Sequence, residues 1–101
     1  MAWELNGTAL VTGGSRGIGR ACALAAAKRG ADVAITYVAN AEAAEATAAE
    51  IRAKGRRAMT IQGDVGIPTD NVAAVEATVA ELGPIRYLVA NAANGSFGMT
   101  H

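Results

Sequence analysis

The sequence predicts an α/β fold built on a parallel sheet, and three observations carry that prediction. Short apolar or β-branched runs alternate with alanine-rich stretches along the chain. A glycine-rich turn, Thr12-Gly13-Gly14-Ser15-Arg16-Gly17-Ile18-Gly19, separates the first such run from the first such stretch. Glycine then follows each helical stretch, at Gly30, at Gly55 and in Gly83-Pro84.

Thr8 to Thr12 reads as strand 1, with Ala9-Leu10-Val11 as its buried centre. Gly17 or Ile18 to Arg29 is helix 1, rich in strong helix formers and closed by Gly30 behind Lys28 and Arg29. Asp32-Val-Ala-Ile-Thr-Tyr37 is a β-branched run and forms strand 2. Asn40 can cap helix 2, Ala41 to about Lys54, whose Glu42, Glu45, Glu50 and Arg52 read as solvated surface. Arg57 to Gln62 is strand 3. Helix 3 is expected to start at Thr69 or Asp70 and to run to Leu82, and strand 4 runs from Ile85 or Tyr87 to Ala90. The order is β-α-β-α-β-α-β. Strands alternating with helices call for parallel pairing with right-handed crossovers. In a Rossmann winding four such strands lie in the order 3-2-1-4, half of a doubly wound domain, with the switch point between strands 1 and 4.

Length and composition narrow the function. The 101 residues allow one small domain, residues 1–101. Nine basic and nine acidic residues balance, which argues against a nucleic-acid or anionic-membrane partner. No stretch has the length and apolarity to span a bilayer, and Met1-Ala-Trp-Glu-Leu-Asn lacks the features of a signal peptide. The lone Cys22 cannot form an internal disulfide; it fits a cytoplasmic setting and is expected as buried packing.

Strand, glycine turn and helix together aim the unpaired N–H groups and positive dipole end of a helix at an anion. The spacing is Gly13-x-x-x-Gly17-x-Gly19 behind a threonine, not the G-x-G-x-x-G of the common dinucleotide fingerprint. It resembles the cofactor motif T-G-x-x-x-G-[IL]-G of the short-chain dehydrogenase/reductase family. The resemblance implies that Gly13, Ser15, Arg16, Gly17, Ile18 and Gly19 hold the pyrophosphate side of a nicotinamide dinucleotide.

Two further segments match that family. Gly63-Asp64-Val65 follows strand 3, where the family carries an aspartate that bonds the adenine amino group, so Asp64 and Val65 are expected to frame the adenine. A turn cap is the competing role for Asp64. Ala90-Asn91-Ala92-Ala93 stands where the family has N-N-A-G, so Asn91, Ala92 and Ala93 are expected on the ribose side. Ala90 and Ala93 depart from that pattern, and Ala93 adds a methyl near the cofactor. A branch with N-A-A here, including some enoyl-acyl-carrier-protein reductases, is similar, as are 3-oxoacyl-acyl-carrier-protein reductases.

The end of strand 2 bears on cofactor choice. NAD enzymes of Rossmann type place an acid there to bind the ribose 2′-hydroxyl. This chain reads Ile35-Thr36-Tyr37-Val38-Ala39-Asn40, with no acid before Glu42. A carboxylate would repel a 2′-phosphate, and Arg16 resembles the basic residue of NADP-preferring members. The expected cofactor is therefore NADP rather than NAD, with Thr36 as a further hydroxyl contact.

In this family, hydride transfer to a carbonyl or enoyl group uses Asn, Ser and a Tyr-x-x-x-Lys pair beyond strand 4. Neither Tyr37 nor Tyr87 has a lysine four residues on, and both read as packed strand residues. The chain is thus expected to be the cofactor-binding first part of an oxidoreductase, without its catalytic residues. Strand 4 would then be an apolar edge, which implies a homo-oligomer through that edge or a fragment of a longer chain. Two alternatives stand beside this. One is a nucleotide-binding or self-assembling module without catalysis. The other is a serine esterase: Gly13-Gly14-Ser15-Arg16-Gly17 satisfies G-x-S-x-G, and Asp64 and His101 follow in hydrolase order. A P-loop is excluded because the turn lacks its lysine and the following Ser or Thr.

Overall fold

In the computed structural model, residues 6–13 and 17–90 are described. The elements are β1 (Thr8–Thr12), α1 (Gly17–Lys28), β2 (Asp32–Tyr37), α2 (Ala41–Ala53), β3 (Ala58–Gln62), α3 (Pro68–Leu82) and β4 (Ile85–Ala90). All strand pairs are parallel and the order is β3-β2-β1-β4, as the alternation predicts.

The sheet separates two cores. On the α1/α2 side, Ala9, Val11, Val33 and Ile35 from the strands meet Ala23, Ala26 and Ala27 of α1 and Ala44 and Ile51 of α2. Alanine at these helical positions lets α1 lie close to β1 and β2. Tyr37 and Tyr87 pack against this core, in keeping with a packing role. On the α3 side the core is smaller: Leu10, Ala34 and Leu82, joined by Met59, Ile61 and Ile85. Val72, Val75 and Val79 of α3 and Leu88 of β4 remain exposed.

Three boundaries differ from expectation, and so does the burial of one residue. α3 starts at Pro68 rather than Thr69 or Asp70, because proline suits the first helical position and no side-chain cap is needed at Ile67. β3 starts at Ala58 rather than Arg57, whose N–H donates to Asp32 Oδ1 at 2.9 Å. α1 ends at Lys28 rather than Arg29. There Gly30 N–H donates to Ala27 O and Ala31 N–H to Ala26 O, which closes the last turn. Cys22 is half-buried rather than in the core, flanking the buried stripe of Gly19, Ala23, Ala26 and Ala27.

Arg57 also ties the end of α3 to the sheet. Its guanidinium pairs with Asp32 and donates from Nη2 to Leu82 O at 3.1 Å. Asn40 caps α2 as expected, accepting from Ala43 N–H at 3.0 Å. The charged face of α2 is exposed and carries Arg52–Glu45 and, to α1, Glu50–Arg20.

Candidate cofactor site

Parallel pairing brings the C-terminal ends of all four strands to one edge of the sheet. β1, next to the switch point, ends at Thr12, opposite Ala90 at the end of β4. Its hydroxyl donates to Val89 O at 3.4 Å, bridging the two strands there. The chain then turns at Gly13, with φ 72°, and re-enters helical structure at Gly17, with φ 65°. Both values lie in the left-handed region, where a Cβ is strained. At Gly17 the constraint is conformational and not steric, since an added Cβ would meet no atom of the described residues within 4 Å.

α1 starts at this bend. Gly17, Ile18 and Gly19 form its first turn, whose N–H groups have no intrahelical acceptors. Ile18 is 73% exposed, whereas Gly19 is buried within the helix–sheet packing. A helix start with no side chain at two of its first three positions fits a diphosphate.

Asp64 and Val65 follow β3 on the same edge, two strands from the turn, about 10 Å at ordinary strand spacing. Their loop is braced from several directions. Asp64 Oδ1 accepts from Gly66 N–H at 2.8 Å, so Asp64 does form a turn cap. Asp70 Oδ2 accepts from Asp64 N–H at 2.9 Å, and Asn71 Nδ2 donates to Val65 O at 2.9 Å. Val38 after β2 and Val65 after β3 both expose apolar surface at this edge. Thr36 differs from the others: it is buried, and its hydroxyl accepts from Gly13 N–H at 3.1 Å. Ser15, Arg16, Asn91, Ala92 and Ala93 lie outside the described residues. So do Ser15 and His101 of the hydrolase pattern.

The short chain dehydrogenase family model matches residues 7–101. The chain belongs to the short-chain dehydrogenase family. It is 46% identical over 85 residues to L-rhamnose 1-dehydrogenase (NAD(P)(+)) of Sphingomonas sp. strain SKA58, covering 84% of this chain and 34% of that protein. It is 42% identical over 89 residues to a 3-oxoacyl-acyl-carrier-protein reductase of Staphylococcus aureus strain Mu50, covering 88% of this chain and 36% of the relative. A blue fluorescent protein from a metagenomic library, crystallised in complex with NADPH, superposes with a TM-score of 0.79 at 46% identity. That match covers 82% of this chain and 34% of the other. The chain spans about a third of the length of the curated relatives it matches.

This short-chain dehydrogenase chain thus has the Rossmann nucleotide-binding fold of an oxidoreductase family with NAD(P)-dependent members. No helix among the described residues is long and apolar enough to cross a membrane. The roles of Asp70 and Asn71 were not read from sequence. Asp64-Val-Gly66 does carry an Asx-turn signal, but nothing in the spacing from Asp64 to Asp70 announces that the helix start reaches back to the loop.

Proposed function

We propose that residues 1–101 form the N-terminal dinucleotide-binding half of an NADP-dependent short-chain oxidoreductase acting on a carbonyl or enoyl substrate. The bound dinucleotide supplies or accepts the hydride. The residues of this chain bind and orient it: Gly17, Ile18 and Gly19 at the pyrophosphate with Ser15, Arg16 at the 2′-phosphate, Asp64 and Val65 at the adenine, and Asn91, Ala92 and Ala93 on the ribose side. One observation carries the preference for NADP. The residues that leave β2, Tyr37-Val38-Ala39-Asn40, include no carboxylate, and Val38 is 60% exposed at the edge where the 2′-group would lie. The single cysteine accords with a cytoplasmic setting.

Titration with NADPH and NADH, followed by nicotinamide fluorescence, tests the assignment. NADPH is expected to bind more tightly; equal or tighter binding of NADH refutes the preference.

A second reading, self-association through β4 without catalysis by this chain, draws on Leu88. It is 63% exposed on the outermost strand of the sheet, on the same side as Val72, Val75 and Val79. Sedimentation velocity at rising concentration is expected to show a dimer or larger species that Leu88→Lys weakens. A monomer at every concentration refutes it.

A further inference from the structure

We propose that Thr36 is a positioning residue for the phosphate turn: its buried hydroxyl holds Gly13 N–H and so sets the direction in which the chain leaves β1. The inference rests on the reading of that turn as the dinucleotide site.

The register of the sheet shows why a side chain is needed here. β1 and β2 pair from Thr8↔Asp32 to Val11↔Ile35, and the pairing stops there. β2 continues against β3 for two more residues, through Thr36↔Ile61 and Tyr37↔Gln62. The backbone of β1 meanwhile turns away at Gly13, whose left-handed φ cannot extend a strand. At that divergence the Thr36 hydroxyl takes over from the backbone ladder and accepts from Gly13 N–H at 3.1 Å, across 23 residues of sequence.

Threonine at this position has an isostere. Valine would keep the β-branched shape that a strand favours and would fill the same buried space. What the hydroxyl adds is an acceptor for Gly13 N–H in a part-buried place, a bond that valine cannot make.

Two consequences follow for the site. Gly13 gives its N–H to Thr36, so its part in phosphate binding is the bend it allows. Thr36, 3% exposed, acts through Gly13 rather than as a hydroxyl ligand of the cofactor. Holding Gly13 in place removes part of the backbone freedom that diphosphate binding would otherwise have to freeze, and that lowers the entropic cost of binding.

The experiment compares the parent chain with Thr36→Val and Thr36→Ser by amide hydrogen exchange at Gly13 and by NADPH titration. Thr36→Val is expected to speed exchange at Gly13 and to raise the Kd for NADPH, each by about tenfold. Thr36→Ser keeps the hydroxyl and should restore both. Ile51→Val, in the core beneath α2, serves as a variant that lowers Tm while leaving Kd unchanged. Unchanged Gly13 exchange in Thr36→Val overturns the inference, and so does faster exchange with no change in Kd. Failure of the parent to bind NADPH would instead overturn the cofactor reading, and exchange at Gly13 would still decide whether Thr36 holds the turn.

Discussion

Replacing Gly17 by alanine separates the backbone requirement of the glycine turn from its space requirement. Gly17 has φ 65°, and a Cβ there meets nothing within 4 Å among the described residues, so no clash with them adds to the cost. The penalty is that of an L-residue held in the left-handed region, about 1–2 kcal/mol. For a domain of this size that lowers Tm by roughly 5–15 °C, read by far-UV circular dichroism. The alanine either strains α1 at its first residue or shifts the helix start, and both disturb the N–H groups offered to a diphosphate. Affinity for NADPH should therefore fall along with stability.

Gly55→Ala is the control. Gly55 ends α2 with φ 86° and equally open space, so it carries a similar strain, but it lies at the opposite edge of the sheet. It should lose comparable stability and keep its NADPH affinity. A Gly17→Ala chain as stable as the parent would refute the backbone conformation on which the site is built. Equal loss of affinity in both variants would refute the location of the site.

Three other substitutions test separate parts of the account. Val38→Asp puts a carboxylate at the exposed position just after β2 and should weaken NADPH by about tenfold while sparing NADH, measured as a ratio of Kd values. Ile35→Ala empties a fully buried position in the larger core and should cost about 2–5 kcal/mol in urea unfolding. Asn40→Ala removes the cap of α2 and should cost about 1 kcal/mol, lowering the urea midpoint at unchanged slope.

The strand order and the placement of most elements were legible because each rests on a local, repeated signal. β-branched runs mark the strands, alanine-rich stretches the helices, and the glycines at 30, 55 and 83 all adopt the positive φ that ends a helix. The start of α3 was hidden because no side-chain cap marks it at Ile67. Pro68 opens the helix, and Asp70 turns its carboxylate to Asp64 N–H instead.

The path of β4 was hidden for a different reason. Its pairing with β1 slips between Thr8↔Ile85 and Ala9↔Tyr87, leaving Arg86 as an extra residue. Ile85 therefore faces the α3 side while Tyr87 and Val89 face α1 and α2, which a strict two-residue alternation would not produce. In the site itself, residue types suggested the glycine turn and the Asp64 loop. The bond from Gly13 to Thr36 depends on where β1 and β2 part, and only the fold reveals that.

The most direct measurement is the map of backbone amide shifts as NADPH is added to the chain. The largest changes are expected at Gly17, Ile18 and Gly19, with a second group at Asp64 and Val65. Shifts confined to Gly7, Asp32 and Arg57, at the other end of the strands, would contradict this placement.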